Sequence, residues 1–288
     1  MRKKNGGHLK VHPVRLPYSP KDTWKFVLVG DFHYGSQQCD IPLMKKFVEK
    51  YAGKEKTKII LMGDEIDAIA RSDKRYDSMA VHDKYRGSNN FVDLIIEDFI
   101  EIMKPLRGQI LAGVDSNHNK VYRKVSDSDP HYRISRALEF TRLGYGGWVP
   151  ILWWWHKGGK KGGRTRSTVF HVTHGKPTFA VTPGGALNTI FRDSQFFDCD
   201  VLAHGHTHRL SAGSSVIKFE LDRTMRSYRK KKQHLLQTGS FLKSYSVDSE
   251  FSPYSEVKRY PPIDLGWAVV DVCFEPDEPR VRCWVEEH

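Results

Sequence analysis

The sequence predicts an α/β fold with metal ligands at the carboxyl ends of parallel strands, and three observations lead there. Short β-branched apolar runs break off at Gly and polar residues, the pattern of strands buried on both faces of a parallel sheet. Stretches with helical spacing separate the first of these runs. Five of the runs end on Asp, His or Asn, at the edge where open α/β sheets hold their active sites.

The elements follow in order. KFVLVGDFH is a strand ending on Asp31 and His33. Asp40 caps a helix with Pro42 in its first turn, and Leu43, Phe47, Val48 and Tyr51 form its buried stripe. KIILMGDEID is the second strand, ending on Asp64. The stretch between Asp67 and Phe91 is polar and basic without periodicity, and reads as an insertion over the active-site edge. Phe91, Leu94, Ile95, Phe99, Ile102 and Met103 mark the next helix. QILAGVDSNHN is a strand ending on Asn117 and His118, and Ile134, Ala137 and Leu138 mark a shorter helix after it. TVFHVTHG ends on His174, and DVLAHGHTH on His206 and His208. The segment 151–172 reads as two strands joined by a Gly/Lys loop. In it Trp153, Trp154 and Trp155 alternate faces, so at least two of them are expected to pack in the core. LLQTGSF, GWAVVDVCF and RVRCWVEE read as later strands of a second sheet. The chain thus divides into a basic N-terminal extension, 1–24, and one domain, 25–288, with a polar insertion near 68–90 and a basic loop near 156–167.

Composition bounds the function. A chain of 288 residues, 39% hydrophobic, buries one large core. Its net charge of +12, from 46 Lys and Arg against 34 Asp and Glu, favours a polyanionic partner such as nucleic acid. Cys39, Cys199, Cys273 and Cys283 lack CxxC spacing, so neither a zinc knuckle nor a disulfide scaffold is indicated, and reduced thiols in a cytoplasm fit best. No run approaches the length of a membrane span, so no membrane partner is expected.

The strand-end residues mix carboxylate oxygen, imidazole nitrogen and one amide, with no thiolate. Such a donor set suits Mn, Fe, Zn or Ni rather than Ca or a soft metal. Seven candidates, Asp31, His33, Asp64, Asn117, His174, His206 and His208, exceed what one catalytic ion takes while keeping a position open for water. Two ions sharing a bridging carboxylate are implied, with Asp64 as the bridge. His8, His12, His82, His131, His156, His171, His234 and His288 are read as structural. His204, one strand period before His206, is left out of the set.

In their order, GDFH, GDEID, SNHN, THG and GHTH resemble the calcineurin-like metallophosphoesterases, over roughly Phe26 to Ser240. The resemblance implies a four-layer αββα sandwich of two mixed β-sheets flanked by helices. It implies two divalent transition-metal ions, Mn foremost, with Fe, Zn, Ni or Co as alternatives. Asp31, His33, Asp64 and His208 would hold the first, and Asp64, Asn117, His174 and His206 the second. His118 would contact the phosphate and protonate the leaving oxygen. In-line attack by a metal-bridging hydroxide, with both cations neutralising the phosphoryl oxygens, is the implied chemistry.

Two positions depart from the family pattern. Ser116 stands where Gly is usual, at a turn that often needs positive φ. Asn119 stands where a carboxylate is usual, and an amide neither raises the pKa of His118 nor holds its tautomer well. Either His118 is a weaker acid, or Asp115 or Asp127 takes the carboxylate's place. The expected substrate is a phosphate ester, foremost a nucleic-acid phosphodiester. Cations at Lys157, Lys160, Lys161, Arg164 and Arg166, in the run Arg223 to Lys232, and at Arg71, Lys74, Arg75, Lys84 and Arg86 would track a backbone if they line the metal edge, with Tyr76, Tyr85 or Tyr228 stacking on bases. A phosphomonoesterase acting on nucleotides or phosphoproteins is the alternative within enzymes. A nucleic-acid-binding protein with a catalytically weak metal site is the alternative outside them.

Overall fold

The computed structural model describes residues 10–157, 160–161, 166–176, 182–222, 224–245, 252–275 and 278–288. The elements are β1 (Lys10–Val11), β2 (Val14–Tyr18), β3 (Thr23–Val29), α1 (Ile41–Tyr51), β4 (Thr57–Leu61), α2 (Phe91–Met103), β5 (Ile110–Gly113), α3 (Asn117–Val125), α4 (Pro130–Leu138) and β6 (Thr141–Arg142). There follow β7 (Gly146–Lys157), β8 (Lys160–Lys161), β9 (Arg166–Thr173), α5 (Pro183–Asp193), β10 (Val201–His204), β11 (Leu210–Leu221), β12 (Tyr228–Thr238), α6 (Tyr254–Val257), β13 (Gly266–Glu275) and β14 (Glu278–Glu287).

Six strands form one mixed sheet in the order β14-β13-β3-β4-β5-β6. The other, eight-stranded sheet runs β1-β7-β9-β10-β12-β11, with β2 and β8 also on β7. Strand β3 shows why the sheets stack. Its apolar residues occupy both faces, so Phe26 and Leu28 enter the inter-sheet core with Val149, Trp153, Phe170 and Leu236. Val27 and Val29 point the other way, against α1 and α2. The Asp40 carboxylate accepts from Leu43 N at 2.9 Å and starts α1, which buries Leu43, Met44, Phe47, Val48 and Tyr51. Phe47 sits among the rings of Phe32, Tyr51, Phe241 and Trp267, and its truncation to Ala would cost about 3–5 kcal/mol. Beyond the eight-stranded sheet, Ile190 of α5 packs on Leu202 and Leu235. The layers are therefore helix, sheet, sheet, helix. Among the described residues no helix is long and apolar enough to cross a membrane.

The strand pairing corrects the placement of the late strands. Strands β13 and β14 do not belong to a second sheet, because β13 pairs antiparallel with β3 itself. Its apolar residues on both faces suit it to the middle of a covered sheet. The second sheet instead takes two ligand-bearing strands, β9 and β10, which pair parallel. From Lys10 onward the leading basic segment is woven into that sheet, with β1 and β2 parallel to β7. Trp153 is buried and Trp155 packs beside it, while Trp154 is exposed.

The topology also separates the basic runs from the ligand-bearing strand ends. Strands β9, β10 and β12 are parallel. The hairpin ends at β7–β8 and β11–β12 therefore lie at the end of the sheet opposite His174 and His206. Arg166 is ion-paired with Glu278 at 2.6 Å. Arg164 and Arg223, and the side chains of Lys157, Lys160 and Lys161, lie outside the described residues.

Candidate metal centre

Strand ends from both sheets converge on one point. Asp31 and His33 follow β3, Asp64 follows β4, Asn117 opens α3 just after β5, His174 follows β9, and His206 and His208 follow β10. Five of these seven residues have left-handed backbone, with φ of 50° at Asp31, 45° at His33, 47° at Asp64, 65° at His206 and 56° at His208. Each costs of order 1–3 kcal/mol, and such strain collects where the surrounding fold aims side chains at a site. Two glycines make room. A Cβ on Gly63 would lie 2.7 Å from His174 Nδ1, and one on Gly205 would lie 2.9 Å from an Asp31 carboxylate oxygen.

The side chains form two groups joined at Asp64. In the first, His33 Nε2 lies 3.1 Å from His208 Nε2 and 3.7 Å from Asp64 Oδ2, and His208 Nε2 lies 3.4 Å from Asp31 Oδ1. In the second, His174 Nε2 lies 3.2 Å from Asp64 Oδ2, 2.9 Å from Asn117 Oδ1 and 3.2 Å from His206 Nδ1. The Met62 carbonyl, 2.8 Å from His174 Nδ1, accepts that ring's proton. His174 Nε2 is left as a lone pair, facing acceptors. Asp31 Oδ1 and Asp64 Oδ1 are buried with no hydrogen-bond partner. Lone pairs meeting lone pairs at these distances fit cations held between them, and Asp31–His33–His208 and Asp64–His174–His206 are each arranged to hold one.

The electrostatics agree. Burial pushes the Asp64 carboxyl up, but His118, His174 and His33 outweigh it and hold Asp64 well below the carboxylate range. Burial likewise opposes the charge on His174, but Asp64 and Asp31 raise it to about 10. The same pull of two buried carboxylates would act on a metal cation placed there. His206, by contrast, is driven down to about 4 by burial and by His174.

His118 stands beside the first group, its ring 5.0 Å from that of His33. Its carboxylate partner is Asp67, with Oδ1 3.2 Å from His118 Nδ1 and 3.7 Å from His33 Nδ1. Asp115, one of the alternatives the sequence left open, is ion-paired with Arg123 at 2.6 Å instead. Burial lowers the pKa of His118, but Asp64 and Asp67 together raise it above its ordinary value. Asn119 turns away, donating to Glu65 at 3.2 Å, and Glu65 also meets His131 at 2.8 Å. Ser116 has φ −130° and caps α3 through Asn119 N, so no positive φ is required of it. His204 points elsewhere, 3.4 Å from Asp193 on α5.

The insertion does reach this edge. Val81 bridges to Ser36 just beyond β3, and the charge of Arg75 acts on His118. Its cations are largely committed. Arg75 pairs with Asp73 at 2.7 Å, Lys84 with Asp98 at 2.6 Å, and Arg86 with Asp83 at 2.7 Å. Tyr85 is buried against Tyr34 and Asp98, so it is not a stacking platform.

No protein-family model matches the chain, and no curated protein matches it. Among solved structures it is similar to Vacuolar Protein Sorting 29 from Cryptosporidium parvum, with TM-score 0.40 and 11% identity over 92% of this chain and 99% of that one. It is similar to the nuclease MPE of Pseudomonas putida, with TM-score 0.35 and 14% identity over 91% of this chain and 87% of that one. A third is the NAD nucleotidase of Haemophilus influenzae, with TM-score 0.38 and 8% identity over 94% of this chain and 50% of that one. The reading of the site rests on its own residues.

Proposed function

We propose that this chain is a calcineurin-like, dinuclear-metal phosphoesterase that cleaves phosphodiesters, foremost those of nucleic acid. The observation that carries the proposal is the pair of ligand groups joined at Asp64, with a carboxylate-held His118 beside them. Asp31, His33, Asp64 and His208 would hold one ion, and Asp64, Asn117, His174 and His206 the other. Mn is favoured, with Fe, Zn, Ni or Co as alternatives, because the donors mix oxygen and imidazole nitrogen. Two such ions supply a water of lowered pKa and neutralise the phosphoryl oxygens. His118 would be the general acid, kept protonated by the charges of Asp64 and Asp67, with Asp67 Oδ1 3.2 Å from its Nδ1. That partner removes the main support for a catalytically weak site, which was Asn119.

Among the described residues the insertion's cations near the metal edge are mostly matched by carboxylates, which favours a diester over a monoester. A dianionic phosphate calls for positive charge beyond the two ions, and Arg75 is already matched by Asp73. The net charge of +12 supports nucleic acid as the diester. A second reading, a monoesterase acting on small nucleotides or phosphoproteins, is favoured by the position of the two basic hairpin ends, away from the metal edge.

Hydrolysis of bis-p-nitrophenyl phosphate, p-nitrophenyl phosphate and labelled single- and double-stranded DNA and RNA, each with Mn²⁺, tests this beside His118→Ala and Asp64→Asn. Faster cleavage of the diester and of nucleic acid, lost in both variants, is expected. Preference for the monoester with intact nucleic acid would establish the second reading. No cleavage with any of the five metals would overturn both.

A further inference from the structure

The distal half of the β11–β12 hairpin is a ribbon with a bare edge. Strand β10 supports β12 only from His234 to Gln237, so residues 217–221 and 228–232 run past it with no third strand beside them in the sheet, while β11 and β12 lie against β13 and β14 of the other sheet. Among the described residues β11 pairs with β12 and with no other strand, which leaves a 12-residue edge free of proline. Proteins usually blunt such edges.

This edge is apolar on one face. Ile217, Phe219 and Leu221 are 57%, 65% and 67% exposed, and they stand opposite Lys232, Lys230 and Tyr228. On the other face Lys218 and Glu220 alternate with them. Lys218 donates to the Ser194 carbonyl at 2.6 Å, and Glu220 meets Arg229 at 2.8 Å.

We propose that two copies of this chain join by antiparallel pairing of their β11 edges about a two-fold axis at Phe219. Residues facing each other across such a pair must share a face, so the axis passes through a residue and not between two. Centring on Phe219 sets Lys218 against Glu220 of the second copy twice over. It also packs Ile217 on Leu221 twice, and Phe219 on itself. Centring on Lys218 or Glu220 sets like charges together, and centring on Leu221 sets Glu220 against Asp222. Centring on Ile217 leaves Lys218 facing Val216. Charge thus selects one register. The interface is self-complementary, as a two-fold contact requires. Lys230 and Lys232, one strand further out, do not meet their counterparts. Because β11 begins just after His208, the two metal centres would lie roughly 70 Å apart at about 3.3 Å per residue and face opposite ways. The surface is independent of the metal chemistry.

The test is the mass in solution by sedimentation velocity over a concentration series, for wild type, Lys218→Glu, Glu220→Lys and an equal mixture of the two variants. Wild type is expected at twice the chain mass of 33.2 kDa. Each variant alone faces like charges across the pair and is expected as monomer. The mixture restores both opposite-charge pairs and is expected as a heterodimer, a recovery that misfolded variants could not show. A monomeric wild type, variants that stay dimeric, or a mixture that stays monomeric would each overturn the proposal.

Discussion

Replacing Asp67 with Asn tests the site most sharply, because its carboxylate lies beside two imidazoles to which the proposal gives different duties. Oδ1 lies 3.2 Å from Nδ1 of His118 and 3.7 Å from Nδ1 of His33. For His118 the carboxylate is one of two groups that raise the pKa against burial and Arg75, which both lower it. With the charge gone, the balance shifts toward the neutral ring, and general acid catalysis worth about 10²- to 10⁴-fold is largely lost. For His33, a ligand in the proposed centre, the same change would remove the carboxylate beside its Nδ1, and loss of such a partner typically costs about 10- to 100-fold in metal affinity. The two effects separate in a metal titration of bis-p-nitrophenyl phosphate hydrolysis, followed by a pH profile of kcat at saturating metal. His118 must be protonated to act, so the alkaline limb of that profile should move to lower pH in Asp67→Asn. If kcat at saturating metal stays within about twofold of wild type with its alkaline limb in place, Asp67 does not serve His118 and the reasoning fails.

Asp64→Asn should lose more metal than any other single ligand change, since Asp64 touches both groups, and elemental analysis finding two ions retained would remove it as the bridge. His118→Ala should keep both ions while slowing turnover by about 10²- to 10⁴-fold, and loss of metal would place His118 among the ligands. His171 lies buried against Phe197, with ring centroids 4.0 Å apart, and neither ring nitrogen has a partner. Burial pushes it down to about 4. The unfolded chain therefore binds the extra proton between the ordinary histidine pKa near 6.5 and about 4, and stability falls as pH drops through that window, by about 3 kcal/mol. His171→Phe should abolish this component. Urea unfolding of both proteins across the window checks it, and a difference between them that does not change with pH would refute it.

The runs around Asp31, Asp64, Asn117, His174 and His206 were legible because each joins a short continuous apolar strand to a polar end, a signal confined to about ten residues. Their division between two sheets was not. Strands β4 and β9 look alike in sequence, and only pairing partners far along the chain assign one to β3 and the other to β10. The same blindness misplaced β13, whose neighbour β3 precedes it by more than 200 residues. Helix α3 was missed because NHNKVYRKV offers few apolar positions, and its start depends on the Ser116 cap.

Asp67 shows the same limit at the scale of one side chain. It stands three residues after Asp64, inside a segment already singled out, yet loop residues have no fixed period that would say where a side chain points. Backbone bonds from Asp67 N to Tyr34 O and from His33 N to Asp64 O lay the two loops side by side, and that contact brings the carboxylate to His33 and His118. In sequence, the position beside His118 is 119, which carries an amide. Here the fold places a carboxylate from another strand end, and it leaves Asn119 free to bind Glu65. The chemistry needs a carboxylate at that distance from Nδ1, whatever segment carries it, so the departure at 119 and the presence of Asp67 are two sides of one arrangement.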